Sequence, residues 1–148
     1  NSHPYVMTAM KAFLDRLDRP QVKQLYDGLD ERWNGHAEGF NRAFADAGLP
    51  LRVANLSTIW TVLYTQPSRY NWMLQFYLRA HGLALSWVGS GRLIFSLNFG
   101  DDEVRDVRER FVAAALQMRS DGWWWHDPAQ SDRGIRRSIL REMLRQRF

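Results

Sequence analysis

Arg92 heads the apolar run "RLIFSLNF", directly after the Gly89-Ser90-Gly91 stretch. A guanidinium is costly to bury without an anion, and its planar fork suits a carboxylate or phosphate in two-point contact. Along an extended chain, Arg92, Ile94, Ser96 and Asn98 fall on one face and Leu93, Phe95, Leu97 and Phe99 on the other. Arg92 is therefore either a solvated strand end paired with a nearby carboxylate or one wall of an anion site. The Gly-Ser-Gly segment is no phosphate loop: it lacks the following Lys-Ser/Thr pair and the spaced glycines of a dinucleotide fingerprint, and it does not precede a helix.

Other chemistry is sparse. There are no cysteines, which removes disulfides, thiol catalysis and cysteine-held metals and fits a reducing, cytoplasmic setting. The histidines (His3, His36, His81 and His126) are scattered, so no metal site is expected. Lys11 and Lys23 lie in charge-rich helical stretches, unlike the apolar surroundings that depress a catalytic amine. No Ser/His/Asp grouping has motif context. Trp123, Trp124 and Trp125 in "GWWWHDP" could stack bases or sugars, but three adjacent tryptophans more often pin a connection onto an apolar surface. Arg69, Tyr70 and Asn71 in "PSRYNWM" either line a site or cap a helix.

The net charge of +4 invites a nucleic-acid reading. Residues 131–148 alone carry that excess, through Arg133, Arg136, Arg137, Arg141, Arg145 and Arg147 against Asp132 and Glu142. The rest is balanced, so the basicity belongs to one terminal helix, which weakens that reading. No apolar run approaches the roughly 18 residues of a membrane span, and no secretory leader is expected.

The elements that must position these residues are set by periodicity. "HPYVMTAMKAFLDRL" reads as a helix with Pro4 in its first turn and a stripe of Val6, Met10, Phe13, Leu14 and Leu17. A second, longer helix is expected from Pro20 to about Ala47, closed by Gly48. β-branched and aromatic alternation predicts strands at about 51–56, 58–65, 83–88 and 92–99, the last two forming a hairpin. A helix ending at Gly82 lies between the strand pairs. Asp101, Asp102 and Glu103 open a further helix, and an amphipathic helix on Ile135, Ile139, Leu140, Met143 and Leu144 closes the sequence. The class is α+β: a small, mainly antiparallel sheet of three to four strands covered by helices. Residues 1–122 are expected to form the domain, and 123–148 a tryptophan-rich connector and basic helix packed on it.

Longer strings carry a resemblance. "LPLRVANLSTIWTVLYTQPSRYNWMLQFYLRAHGLALSWVGSGRLIFSLNF" followed by "FVAAALQMRSDGWWW" resembles the C-terminal part of class III pyridoxal-phosphate aminotransferases of fold type I. It looks most like the glutamate-1-semialdehyde aminotransferase (2,1-aminomutase) branch. The resemblance implies that the Schiff-base lysine, the large domain and most contacts to pyridoxal phosphate precede Asn1. These residues would be the small C-terminal domain, inactive alone, closing over the active site of a homodimer that acts on a small amino acid or amino aldehyde. "NSHP" resembles the segment just after the family's Gly-Thr-Phe turn, which implies Asn1, Ser2 and His3 near the cofactor phosphate at the dimer interface. "RLIFSLNFGDDEV" has the Arg-Leu-x-x-x-Leu layout whose arginine grips the substrate carboxylate in related transaminases, which implies that role for Arg92, with Ser96 and Asn98 beside it. Those relatives often carry Pro-Pro where this chain has Phe95-Ser96. The rival expectation is a free-standing nucleic-acid-binding or protein-interaction module built on the arginine-rich helix.

Overall fold

The computed structural model describes residues 3–84 and 92–146. Two helices lead, α1 (Pro4–Leu17) and the single turn α2 (Pro20–Lys23), each with a proline in its first turn where no N–H is needed. The expected long second helix is interrupted. A 3₁₀ turn at Gln24–Tyr26 gives way to Asp27 in an extended conformation, and Gly28 turns left-handed at φ 63° before α3 (Leu29–Asp46) begins. Only glycine takes that conformation without Cβ strain, so the Asp-Gly pair overrides the helical spacing on either side.

β1 (Leu51–Leu56) and β2 (Ile59–Tyr64) form an antiparallel hairpin across Ser57 and Thr58. A 3₁₀ turn (Asn71–Met73) then runs into α4 (Leu74–Ala80), which stops at Gly82 (φ 81°). β3 (Arg92–Ile94) pairs antiparallel with β2, giving the order β1-β2-β3. The expected strand at 92–99 is thus cut to three residues. Ile94 faces Ile59, the first residue of β2, so beyond it β3 has no partner to pair with; Phe95 donates one last bond to the Thr58 carbonyl (3.0 Å). The chain then turns through 96–99 into α5 (Asp101–Ser120), where Glu103 accepts from the Gly100 N–H (3.0 Å). Leu83 and Ala84 are not in a strand, and the rest of the strand expected at 83–88, with its hairpin turn, lies outside the described residues. α6 (Asp132–Arg145), capped by the Ser131 hydroxyl, ends the described chain.

One face of the sheet packs on α3, with α5 and α4 behind. Trp33, Phe40 and Phe44 of α3 meet Trp60, Phe95 and Phe111 in an aromatic cluster, with Trp33–Phe95 and Trp60–Phe95 centroids 5.0 Å apart and Phe40–Trp60 5.2 Å. Leu74, Leu78, Ala115 and Met118 complete it. Such burial, at roughly 1.5–3 kcal/mol per large apolar side chain, is the main force holding the α+β layer together. Tyr77 donates to Asp121 (2.7 Å) and His81 meets Gln117 (2.8 Å), tying α4 to α5.

Two elements take little part in this core. α1 buries none of its residues, and its stripe of Val6, Met10, Phe13 and Leu14 is exposed. α6 buries only Ile135, and Arg69 holds it through a two-point contact with Glu142 (3.1 and 2.7 Å).

Candidate functional site

The strand register decides what surrounds Arg92. Ala54, Thr61 and Arg92 face one another across the three strands, and Leu56, Ile59 and Ile94 form the next row. Arg52 and Leu63 form the row on the other side. All eight side chains share the face turned away from α3, because the alternate residues Leu51, Val53, Trp60 and Val62 fill the core. Strands lie about 4.8 Å apart and same-face residues about 7 Å apart along a strand, which sets the scale of this surface.

That outer face has a distinct chemistry. It carries two guanidiniums and one hydroxyl, and no carboxylate. Leu56, Ile59 and Ile94 are 78, 50 and 73% exposed, an apolar row with no cover among the described residues. A shallow recess of about 270 Å³ lies between the rows, lined by Ala54, Leu56, Ile59, Thr61 and Arg92 with Asn55 and the edge of Trp60. Among the described residues the arginines in ion pairs are Arg69, Arg105 and Arg110, and Arg92 is in no such pair. Both readings of Arg92 stated from the sequence needed an anion; none of the described carboxylates supplies it.

The other anticipated residues are spread out. Ser96 and Asn98 are exposed in the turn after the ladder ends, and the Ser96 hydroxyl accepts from the Asn98 N–H (3.3 Å), so it shapes the turn. His3 precedes α1, with its carbonyl accepting from Val6 N–H (2.9 Å) and its ring stacked on Tyr5 (5.1 Å). Asn1 and Ser2 lie outside the described residues. Of the tryptophan triplet, Trp124 packs on the core and donates to the Ala115 carbonyl (2.9 Å), while Trp123 and Trp125 flank Tyr70 at 5.4 and 6.2 Å. The triplet pins the connection, with Trp125's carbonyl held by Ser68 (2.6 Å).

Thr61, Ala54, Leu56 and Ile59 were not singled out from the sequence as site residues. The available signal was the two-residue alternation of the β1–β2 hairpin: once its turn is placed at Ser57-Thr58, these residues fall on the face opposite Trp60 and Val62. A second missed contact is His36 Nε2 to Asp101 Oδ1 (3.4 Å), which joins α3 to α5. Burial lowers the His36 pKa, with Arg32 and Arg108 adding to the effect and Asp101 opposing it.

Neither lysine of the chain is placed to form a Schiff base with pyridoxal phosphate. The chain has two lysines, and both stand on exposed helical surface in ion pairs, Lys11 with Asp15 (2.7 Å) and Lys23 with Asp18 (3.2 Å). No group of three or more metal-ligating side chains occurs among the described residues. No described helix is long and apolar enough to cross a membrane.

No protein-family model matches the sequence, and no curated protein matches it. Solved structures do share its fold. A transaminase with pyridoxal phosphate bound superposes with a TM-score of 0.58 at 22% identity over 72% of this chain. An omega-transaminase from Sphaerobacter thermophilus gives 0.55 at 18% over 65%, and a β-phenylalanine aminotransferase from Variovorax paradoxus 0.50 at 19% over 67%. The matched part is 25–26% of each of those chains, so this chain spans about a quarter of their length. At these identities the likeness is one of fold.

Proposed function

We propose that these residues are the small C-terminal domain of a pyridoxal-phosphate-dependent aminotransferase or aminomutase, of the class III kind and similar to the glutamate-1-semialdehyde branch. The outer sheet face carries the proposal: a guanidinium without a carboxylate among the described residues, beside an uncovered apolar row, is what a domain shows when another domain and a small anionic substrate complete it. The fold shared with a quarter of three transaminase chains supports the same reading. The cofactor and its lysine belong to an upstream domain, because neither lysine here is placed to serve. Arg92 binds the substrate carboxylate, Ser96 and Asn98 lie beside that site, and the segment around His3 approaches the cofactor phosphate of a homodimer. The parent enzyme is cytoplasmic, and the chain alone is inactive.

The test uses the full-length chain, with its upstream domain, purified in the presence of pyridoxal phosphate. A visible absorption band bleached by borohydride is expected. Arg92→Gln is expected to raise KM for a carboxylate substrate by about 10- to 150-fold, the loss of a charge-assisted bond worth roughly 1.5–3 kcal/mol, and to leave a simple amine donor unaffected. A colourless protein that binds no pyridoxal phosphate would overturn the cofactor reading.

A further inference from the structure

We infer that the recess beside Arg92 is a binding shelf for a monocarboxylate with an unbranched apolar body; this deepens the function proposed above and rests on it. Among the lining groups the one charge is the Arg92 guanidinium, at one end of the row Ala54–Thr61–Arg92. The row beside it is wholly apolar, Leu56–Ile59–Ile94, and lies about 7 Å further along the strands. A carboxylate seated on Arg92 therefore lays a chain of several carbons across Ile59 towards Leu56. Ala54 opposite Thr61 keeps the floor low, since a larger side chain there would fill the recess.

The complementarity is selective. A second carboxylate or an ammonium at the far end of the ligand would meet leucine and isoleucine, and would lose its hydration with no partner in return. The alternative direction from Arg92 leads over Leu63 towards Arg52, which is the direction a dicarboxylate would take. That path has one apolar side chain, and Arg52 also borders the separate groove between α3 and β1. The recess, about 270 Å³, runs over Leu56 and Ile59 and not over Leu63. Its volume lies just below the usual range for ligand sites, which fits a small metabolite with its remaining walls supplied by the covering domain.

The test has two arms. In the full-length holoenzyme, kcat/KM is measured for straight-chain 2-amino acids from four to eight carbons, with glutamate and lysine for comparison. The expected result is a rise of about two- to fourfold per methylene, the transfer value for a buried CH₂ being the upper limit, with glutamate and lysine poor. Ile59→Asp flattens the series, and Ile94→Asn, at a more exposed site, reduces its slope. A flat series, or glutamate preferred, with the cofactor band intact overturns the shelf and leaves the cofactor reading standing.

The second arm does not involve the cofactor. Hexanoate is titrated into the full-length chain freed of pyridoxal phosphate while its methyl resonances are followed by NMR. Saturable shifts at Leu56, Ile59 and Ile94, abolished in Arg92→Gln, support the shelf even if the full-length protein proves colourless. Shifts confined to Leu63, or none at all, overturn it.

Discussion

The open edge of the sheet offers the sharpest test of the fold. Among the described residues β1 has no strand on its outer side, yet Val53 does not present a free main chain there. Asn41 of α3 accepts from the Val53 N–H through Oδ1 (2.8 Å) and donates from Nδ2 to the Val53 carbonyl (3.1 Å). One side-chain amide thus makes the pair of bonds a fourth strand would make. Asn41→Ala removes both, at about 1 kcal/mol net each. The neighbouring groove, lined by Arg42, Leu51 and Arg52, lets water reach the freed groups, so the loss is expected near 2 kcal/mol and not the higher cost of a sealed, orphaned pair. Urea unfolding followed by tryptophan fluorescence should show the midpoint falling by about 1 M for a slope near 2 kcal/mol/M. Asn41→Asp, which can accept but not donate at neutral pH, should lose at least as much. The bared edge should also self-associate with rising concentration in light scattering. A midpoint shift under 0.2 M for both variants would refute the assignment of these bonds as stabilising.

Ser57 takes φ 51° in the hairpin turn with its hydroxyl buried and unpartnered among the described residues, so Ser57→Gly should stabilise by about 1 kcal/mol in the same urea assay. His36 has a lowered pKa, so its neutral form is the folded one; stability should be full above about pH 6.5 and fall as pH drops through the lowered value, and His36→Gln should remove that part of the pH profile. Arg69 lowers the Glu142 pKa by hydrogen bond and charge, so the contact holding α6 is present above the ordinary carboxylate range and lost as pH falls through the lowered value. Glu142→Gln should therefore speed amide exchange in α6 while leaving α3 and α5 protected. Trp124→Ala should cost about 2–3 kcal/mol in thermal unfolding, against under about 1 kcal/mol for Trp123→Ala, because only Trp124 packs on the core and bonds to Ala115.

What the sequence disclosed was what local periodicity encodes. β1 at Leu51–Leu56 and the acidic start of α5 at Asp101 match their expectations because alternation and a charged helix N-terminus are local signals. The strand from Arg92 shows where this fails. Its alternation is real, with Phe95 buried and Ile94, Ser96 and Asn98 exposed, yet the ladder stops at Ile94. Burial alternates wherever an extended chain lies on a core, but pairing needs a neighbour, and β2 begins only at Ile59, opposite Ile94. The break at Gly28 was masked differently: Leu29 and Trp33 continue a helical spacing from Val22 and Leu25, while a single left-handed residue resets the axis between them. Arg92 stood out by its chemistry alone. Its companions Thr61 and Ala54 did not, since their meeting depends on the register of strands some thirty residues apart.

The two faces of the sheet impose opposite requirements. Behind it, Trp33, Trp60 and Phe95 interlock, and exposing any of them would cost more than most single substitutions do. In front, Leu56 and Ile94 stay mostly in water and Ile59 is only half-buried, so the described residues cover this row poorly. A strand pattern that needed only one buried face would place polar residues there, as Thr61 and Arg92 show it can. Apolar residues at those three paired positions therefore answer to something outside the described residues. An apolar surface of another domain would account for the leucine and isoleucines alone, and an anion would account for Arg92 alone. The proposed cleft, closed by a second domain around a small carboxylate, would account for both within one step of about 7 Å along the same strands.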